Sequence, residues 1–253
     1  MQIFIPTFGR SSKQATYSSL VGAGLQITLV VQDCERDLYC GLPHVVLPAS
    51  IRTIAPTRQF ILEHLVEDKT FCMVDDDLVF FKRRDDDPTK LRDITPLELR
   101  QAFAAMHQYL LDGYAHVGFA AREGANRNTG YRLENTRIMR VLGYRADLLE
   151  KHNINFDDME VMEDFDVAIR LLRQGYKNLV LNDYAHNQAS SGAAGGCSHF
   201  RTPALQARNA KYLAERHHPF VRVTEKTTKA AWGGGTRTDV TVYWKKAYAE
   251  SLE

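Results

Sequence analysis

Long apolar runs are missing from this 253-residue sequence, and so is any imbalance of charge. No stretch approaches the ~20 apolar residues that a membrane-spanning helix requires, so no anchor is expected. With 32 Lys and Arg against 31 Asp and Glu, the formal charge is +1; the chain as a whole is neither a nucleic-acid sponge nor an acidic tail, and any surface for a charged partner must be local. Cysteine is scarce too. Cys34, Cys40, Cys72 and Cys197 lack CxxC or Cys/His zinc spacing, which fits free thiols in a reducing compartment, and Cys72, inside an apolar run, reads as a core residue. Met1 leads straight into IFIPTF without the regions of a signal peptide, so a soluble, cytoplasmic enzyme is expected. There is no repeat and no low-complexity tract. Ordinary composition and this length point to one sizeable core in a single α/β domain.

Short β-branched runs alternate with amphipathic stretches through the first half, the pattern of strands joined by crossover helices in a mostly parallel central sheet flanked by helices. Strands are expected at 2–6, 26–31, 44–47 and 70–74, and helices at 12–22, 56–67 and 96–111. Pro56 and Pro96 suit first helical turns, and Thr95 is a fitting N-cap. Beyond Gly113 come a strand at 116–121, a polar stretch at 123–136 and an apolar segment at 138–149 assigned to the acceptor side. A helix begins near Glu163 and stops at Gly175. The strand at 177–181 leads into SSGAAGGCS, which reads as a mobile lid over 187–200. Thr202 and Pro203 open another helix to about Arg216, and strands at 220–224 and 239–244 surround WGGGT. The division expected is 1–200 for the main domain and 201–253 for a small basic, aromatic-containing extension.

The strongest local signal is Phe71-Cys-Met-Val-Asp75-Asp76-Asp77-Leu-Val-Phe-Phe81, three acids between apolar flanks at the end of a buried strand. Asp75 and Asp77, two residues apart in extended chain, share one side and can address one hard divalent cation, the geometry of a DxD motif. Asp85, Asp86 and Asp87, beside Lys82, Arg83, Arg84 and Pro88, form an internal control: without apolar flanks they read as a surface turn. Nucleotide-sugar transfer makes the first triplet chemically sensible, since Mg²⁺ or Mn²⁺ held by a carboxylate and the diphosphate neutralises charge on the leaving phosphate. Arg10 and Arg58 stand at the same sheet edge.

Met162-Glu163-Asp164-Phe165-Asp166 places acids in a first helical turn, where they favour the helix dipole in any protein. Beside a DxD motif, Asp164, or else Glu163, is the candidate base for an acceptor hydroxyl. His186, at a strand end before the glycine-rich segment, is preferred to His199 as an imidazole completing the metal shell. The segment 201–253 carries ten Lys and Arg against five Asp and Glu, about +5, interleaved with Trp232, Tyr243 and Trp244. It reads as either a solvated face or a phosphate-tracking surface.

In order, IPTFGR, VVQD, the helix with Arg58, MVDDDL, MEVMEDFDVAIRLLRQGYKN, a histidine and a glycine-rich loop resemble the GT-A (Rossmann-like) glycosyltransferase plan over most of 1–200. More narrowly, HNQASSGAAGGCSHFRT is similar to the TET-associated glycosyltransferases of tailed bacteriophages. The resemblance implies a UDP-sugar donor, a hexosyl or N-acetylhexosaminyl transfer, Mn²⁺ or Mg²⁺, and an acceptor 5-hydroxymethylcytosine in DNA made by a TET-like oxygenase in the cytoplasm of the phage-infected host. It also implies Asp75 and Asp77 as the DxD, Glu163 and Asp164 as the catalytic acids and His186 as the metal histidine. Gly195, Gly196 and Ser198 would close over the diphosphate, with Thr7, Arg10, Arg58, Asp75 and Asp76 facing the nucleotide. A free carboxylate base with no evident nucleophile favours inversion. Two other readings stand beside this one: transfer to a polysaccharide, lipid or protein, and a non-catalytic nucleic-acid-binding module.

Overall fold

The structure, a computed structural model, describes residues 1–125, 130–188, 201–228 and 235–252. Its first half is a run of crossovers: β1 (Gln2–Thr7), α1 (Ala15–Gly22), β2 (Thr28–Val31), β3 (His44–Val46), α2 (Ile54–His64) and β4 (Thr70–Val74). After the acids come β5 (Leu78–Arg83), β6 (Leu91–Asp93), α3 (Pro96–Leu111), β7 (His116–Ala121) and the short α4 (Arg122–Ala125). Then follow β8 (Arg132–Glu134), β9 (Val141–Arg145), α5 (Ala146–Lys151), α6 (Glu163–Arg173) and the long β10 (Asn178–Gln188). The chain closes with α7 (Pro203–Arg216), β11 (Val221–Thr228), β12 (Gly235–Val242) and α8 (Trp244–Ala249).

One ten-stranded sheet runs in the order β3-β2-β1-β4-β9-β7-β10-β5-β6, with β8 also on β10. Seven of the ten strands point one way; β5, β8 and β9 oppose them. This is the mostly parallel α/β plan expected. Strand alternation sorts the core into two faces. Ile3, Ile5, Cys72, Val74 and Val117 pack under α1 and α3, whereas Phe4, Phe71, Met73, Leu142 and Tyr144 pack under α2, α5 and α6. The apolar segment assigned to the acceptor side is therefore core: it supplies β9, Leu148 and Leu149. Two glycines let strands approach closely. A Cβ on Gly143 would lie 2.7 Å from Met106 Sδ, and one on Gly118 would lie 2.6 Å from the Val141 carbonyl and collide with Ile138.

Helix ends follow their chemistry. Thr95 accepts from the Glu98 N–H at 3.3 Å while Glu98 accepts from the Thr95 N–H at 3.0 Å, a capping box with Pro96 in the first turn. Thr202 likewise accepts from the Leu205 N–H at 3.1 Å. The first helix starts at Ala15, later than expected, because residues 11–14 form a turn in which the Lys13 N–H donates to the Arg10 carbonyl at 2.9 Å.

α6 is gripped on two sides. Val167 and Leu171 face the sheet, while Phe165, Ile169 and Leu172 pack against α7, α8 and the β11–β12 hairpin. At roughly 1.5–3 kcal/mol for each fully buried large apolar side chain, this double contact is substantial. Buried Asp166 adds a polar tie, receiving His217 Nε2 at 2.7 Å and Arg216 Nε at 3.1 Å. Among the described residues no helix is long and apolar enough to cross a membrane.

Candidate active site

β4 ends at Val74, and the next three residues are fastened through their backbone. The Asp75 N–H donates to the Arg140 carbonyl at 2.9 Å. Thr16 Oγ1 donates to the Asp75 carbonyl at 2.6 Å and accepts from the Leu78 N–H at 2.8 Å, and the Thr16 N–H reaches the Asp76 carbonyl at 3.3 Å. With the Asp75 N–H and the Asp75 and Asp76 carbonyls so committed, the carboxylates project from an anchored backbone.

They diverge. Asp76 turns inward: Thr7 Oγ1 donates to it at 2.7 Å, and Arg10 is hydrogen-bonded to it at close range. Thr7 in turn lies 3.3 Å from the Tyr39 hydroxyl and accepts from Gln14 at 3.1 Å. Thr7 and Asp76, expected to face the nucleotide, thus spend their polar atoms on one another and on the strand ends. Burial opposes the Arg10 charge, but Asp76 and Asp77 outweigh it and raise its pKa. Asp77 lies 3.1 Å from Arg10 and accepts from Gln188 Nε2 at 3.2 Å.

Asp75 points toward α2 and α6, its carboxylate 36% exposed. Burial of its surroundings, with Asp77 and Asp76 nearby, pushes its pKa up to about 7 against the pull of Arg58. Arg58 itself is not a surface cation. It is 6% exposed and forks between two acids, donating from Nη1 to Glu163 at 2.5 Å and from Nη2 to Asp75 at 3.5 Å. Burial would lower its pKa; the charges of Glu163, Asp75 and Asp164 raise it instead. Burial likewise pushes Glu163 up, opposed by Arg58, and Glu163 Oε2 has no partner among the described residues. Glu163 opens α6 after Met162, held in the left-handed region at φ 67. One residue on, half-buried Asp164 receives no hydrogen bond from a described side chain.

A divalent cation fits this donor set as a shared ligand. Mg²⁺ and Mn²⁺ are held by one or two carboxylates together with substrate phosphates, not by an all-protein cage. Asp75 and Asp77 supply two oxygen donors at one strand end. Among the described residues no three His, Cys, Asp or Glu side chains form a preformed metal group.

The family model of the TET-Associated Glycosyltransferase matches residues 1–196. The chain belongs to that family. A relative, the Beta-glucosyl-HMC-alpha-glucosyl-transferase of Enterobacteria phage T2, is 26% identical over 181 residues, 65% of this chain and 61% of its own. The match thus spans about three fifths of that relative's length. Among solved structures, a mannosyltransferase from Pyrobaculum calidifontis, in complex with GDP-Man and Mn²⁺, shares the fold with a TM-score of 0.57 at 13% identity. That match covers 99% of this chain and 68% of the mannosyltransferase.

In this TET-associated glycosyltransferase, Arg10, Arg58, Asp75, Asp77, Glu163 and Asp164 are brought to one edge. His186 is not gathered with the acids. It is fully buried on β10 opposite Phe80, beside the Met139 and Phe119 backbone, and burial together with Arg140 holds its pKa at about 3, so the imidazole is neutral. Gln188, two residues on and on the same face, is the side chain that reaches Asp77, about 7 Å along the strand. Gly195, Gly196, Ser198 and His199 lie outside the described residues, as does most of the expected lid. Arg140 escaped the sequence reading. It sits at φ 65, uncommon for arginine, and donates to Gln188 Oε1 at 3.3 Å. Two surface grooves among the described residues, one lined by Arg84, Asp86 and Arg92 and the other by Tyr109, Tyr131 and Tyr184, share no residue with this edge.

Proposed function

We propose that this protein moves a hexose or N-acetylhexosamine from a UDP-sugar to a hydroxyl on 5-hydroxymethylcytosine in DNA. The observation that carries the reading is the Arg58 fork, which ties the strand-end acid Asp75 to the opening turn of α6 and so sets Asp164 beside the donor edge. Asp164 accepts the proton of the acceptor hydroxyl as the new oxygen–carbon bond forms at the anomeric carbon. The bond from that carbon to the diphosphate breaks, its electron pair leaving with UDP. Asp75 and Asp77 would hold Mn²⁺ or Mg²⁺, which when bound would supply Lewis-acid neutralisation for the departing diphosphate. Arg10, fixed by Asp76 and Asp77, adds a positive field, and Glu163, neutralised by Arg58, leaves Asp164 as the free base. A carboxylate base without a nucleophile partner supports inversion. The acceptor comes from the family and the T2 relative's name, and a TET-like oxygenase is the upstream partner that the family name supports.

The name of the T2 relative favours a second reading, in which an α-glucosyl group is added to β-glucosyl-HMC. One experiment tests both. The protein, Mn²⁺ and UDP-sugars are incubated with duplex DNA carrying cytosine, hydroxymethylcytosine or β-glucosyl-hydroxymethylcytosine, and the digested nucleosides are weighed and their linkage read by NMR. A sugar gain on hydroxymethylcytosine supports the first reading, and a gain confined to the glucosylated base the second. UDP release with no DNA product refutes both acceptors.

A further inference from the structure

Beyond Asp164, toward the C-terminal hairpin, three arginines gather. Arg137 is exposed, and its guanidinium carbon sits over the Phe165 ring, 4.4 Å from the centroid, with the Trp244 ring centroid 5.7 Å from that of Phe165. Its charged neighbours are Asp164, Asp239, Arg140 and Arg201. Asp239 is already taken, receiving Lys226 at 2.9 Å and Arg237 at 2.6 Å. Arg201 Nε and Arg140 Nη1 are buried without a hydrogen-bond partner among the described residues, and the nearest acid to Arg140 is exposed Glu123 at 3.8 Å. Arg140 is also felt by Asp75 and Arg201 by Glu163, acids already shared with Arg58, so what marks the cluster is three guanidiniums side by side with two of their buried nitrogens unsatisfied. Like charges repel, and a fold that holds them together is stabilised when an anion joins them. A guanidinium laid on an aromatic face presents its fork edgewise, the geometry for bidentate phosphate.

We infer that Arg137, Arg140 and Arg201 form a phosphodiester subsite that seats the acceptor DNA strand against Asp164. The donor diphosphate shares this chemistry but is already served at the strand ends, where Arg10 stands with Asp75 and Asp77. Arg137 belongs instead to the side built by Phe165 and the hairpin, continuous with the basic segment 201–253. The inference rests on the DNA-acceptor reading above.

The test is fluorescence anisotropy of a labelled duplex with the full chain from 50 to 200 mM salt, beside calorimetry with UDP. Each lost phosphate contact flattens the log–log salt slope by about 0.9. Losing two contacts in R137Q/R201Q therefore flattens it by about 1.8, so the affinity gap to wild type narrows about 12-fold across that range. UDP affinity is retained. The charge-keeping pair R137K/R201K holds the wild-type slope, which separates lost phosphate contacts from lost folding. An unchanged slope in R137Q/R201Q overturns the subsite alone, as does a loss of UDP affinity with DNA binding intact, which would assign the arginines to the diphosphate. Wild-type protein that fails to bind DNA overturns the subsite and the acceptor reading together.

Discussion

Replacing Arg58 with Met removes the cation hydrogen-bonded to buried Glu163, leaving it the weaker pull of Arg201, and fills the space with a side chain of similar reach. Glu163 is 3% exposed, so its charge has no recourse to solvent. The folded variant escapes by binding a proton. Against an ordinary glutamate near 4.3, keeping that proton at pH 7 costs about 2.7 units at 1.36 kcal/mol each, an upper bound of about 3.7 kcal/mol. At pH 5 the same arithmetic leaves about 1 kcal/mol. The sign follows from linkage: a carboxylate whose folded pKa is raised imposes no penalty below its unfolded value and a growing one as pH rises. At roughly 2–4 °C per kcal/mol for a chain of this size, Arg58→Met should melt about 7–15 °C below wild type at pH 7 and about 2–4 °C below at pH 5. Scanning calorimetry at both values reads the gap, and Glu163→Gln added to the variant should close most of it. An equal gap at the two pH values, or no rescue, would refute the account of Arg58 as a buried counter-charge.

Other expectations concern the site and its frame. Asp164→Asn should lower kcat by about 10²- to 10⁴-fold while UDP affinity and melting temperature hold, and a rate near wild type would remove Asp164 as the base. Asp77→Ala should abolish the Mn²⁺-dependent part of UDP binding in calorimetry with and without the metal; undiminished enhancement by Mn²⁺ would exclude it as a ligand. Gly118→Ala drives a Cβ into Ile138 and the Val141 carbonyl and should cost about 1–3 kcal/mol, visible as several degrees in melting temperature; an unchanged melt would show that β9 yields there.

Much of the frame was legible where side-chain chemistry is local. Thr95, Pro96 and Glu98 spell a helix start, Gly175 ends α6 at φ 83, and the helix opening at Thr202 and Pro203 closes at Arg216, as read. The period of two expects Asp75 and Asp77 on one side; the three acids instead lie in a turn, where Asp76 and Asp77 meet at Arg10 and Asp75 turns to Arg58. What escaped depends on partners distant in sequence. The strand expected at 177–181 runs on: past a register shift between Leu181 and Ala185 it continues to Gln188, paired with β5. β5 itself was read only as the apolar flank of the acids. Arg58 looked like a phosphate ligand because nothing local announces Glu163, 105 residues away, as its partner. Arg137 and Arg140 fall where the polar stretch gives way to the apolar segment 138–149, and their meeting with Arg201 is a product of the fold alone.

The strand order carries a mechanical consequence for the acids. β4 and β5 are consecutive in the chain yet four strand spacings apart in the sheet, with β9, β7 and β10 between them. Flat, that gap would be about 19 Å, whereas the four Cα steps from Val74 to Leu78 reach at most about 14 Å. The sheet must curl to bring the two ends together, and the irregularity in β10 falls on the strand that has to bend. Asp75, Asp76 and Asp77 make a turn across that closed gap, so the curvature of a ten-stranded sheet, as much as any hydrogen bond, decides where the carboxylates stand.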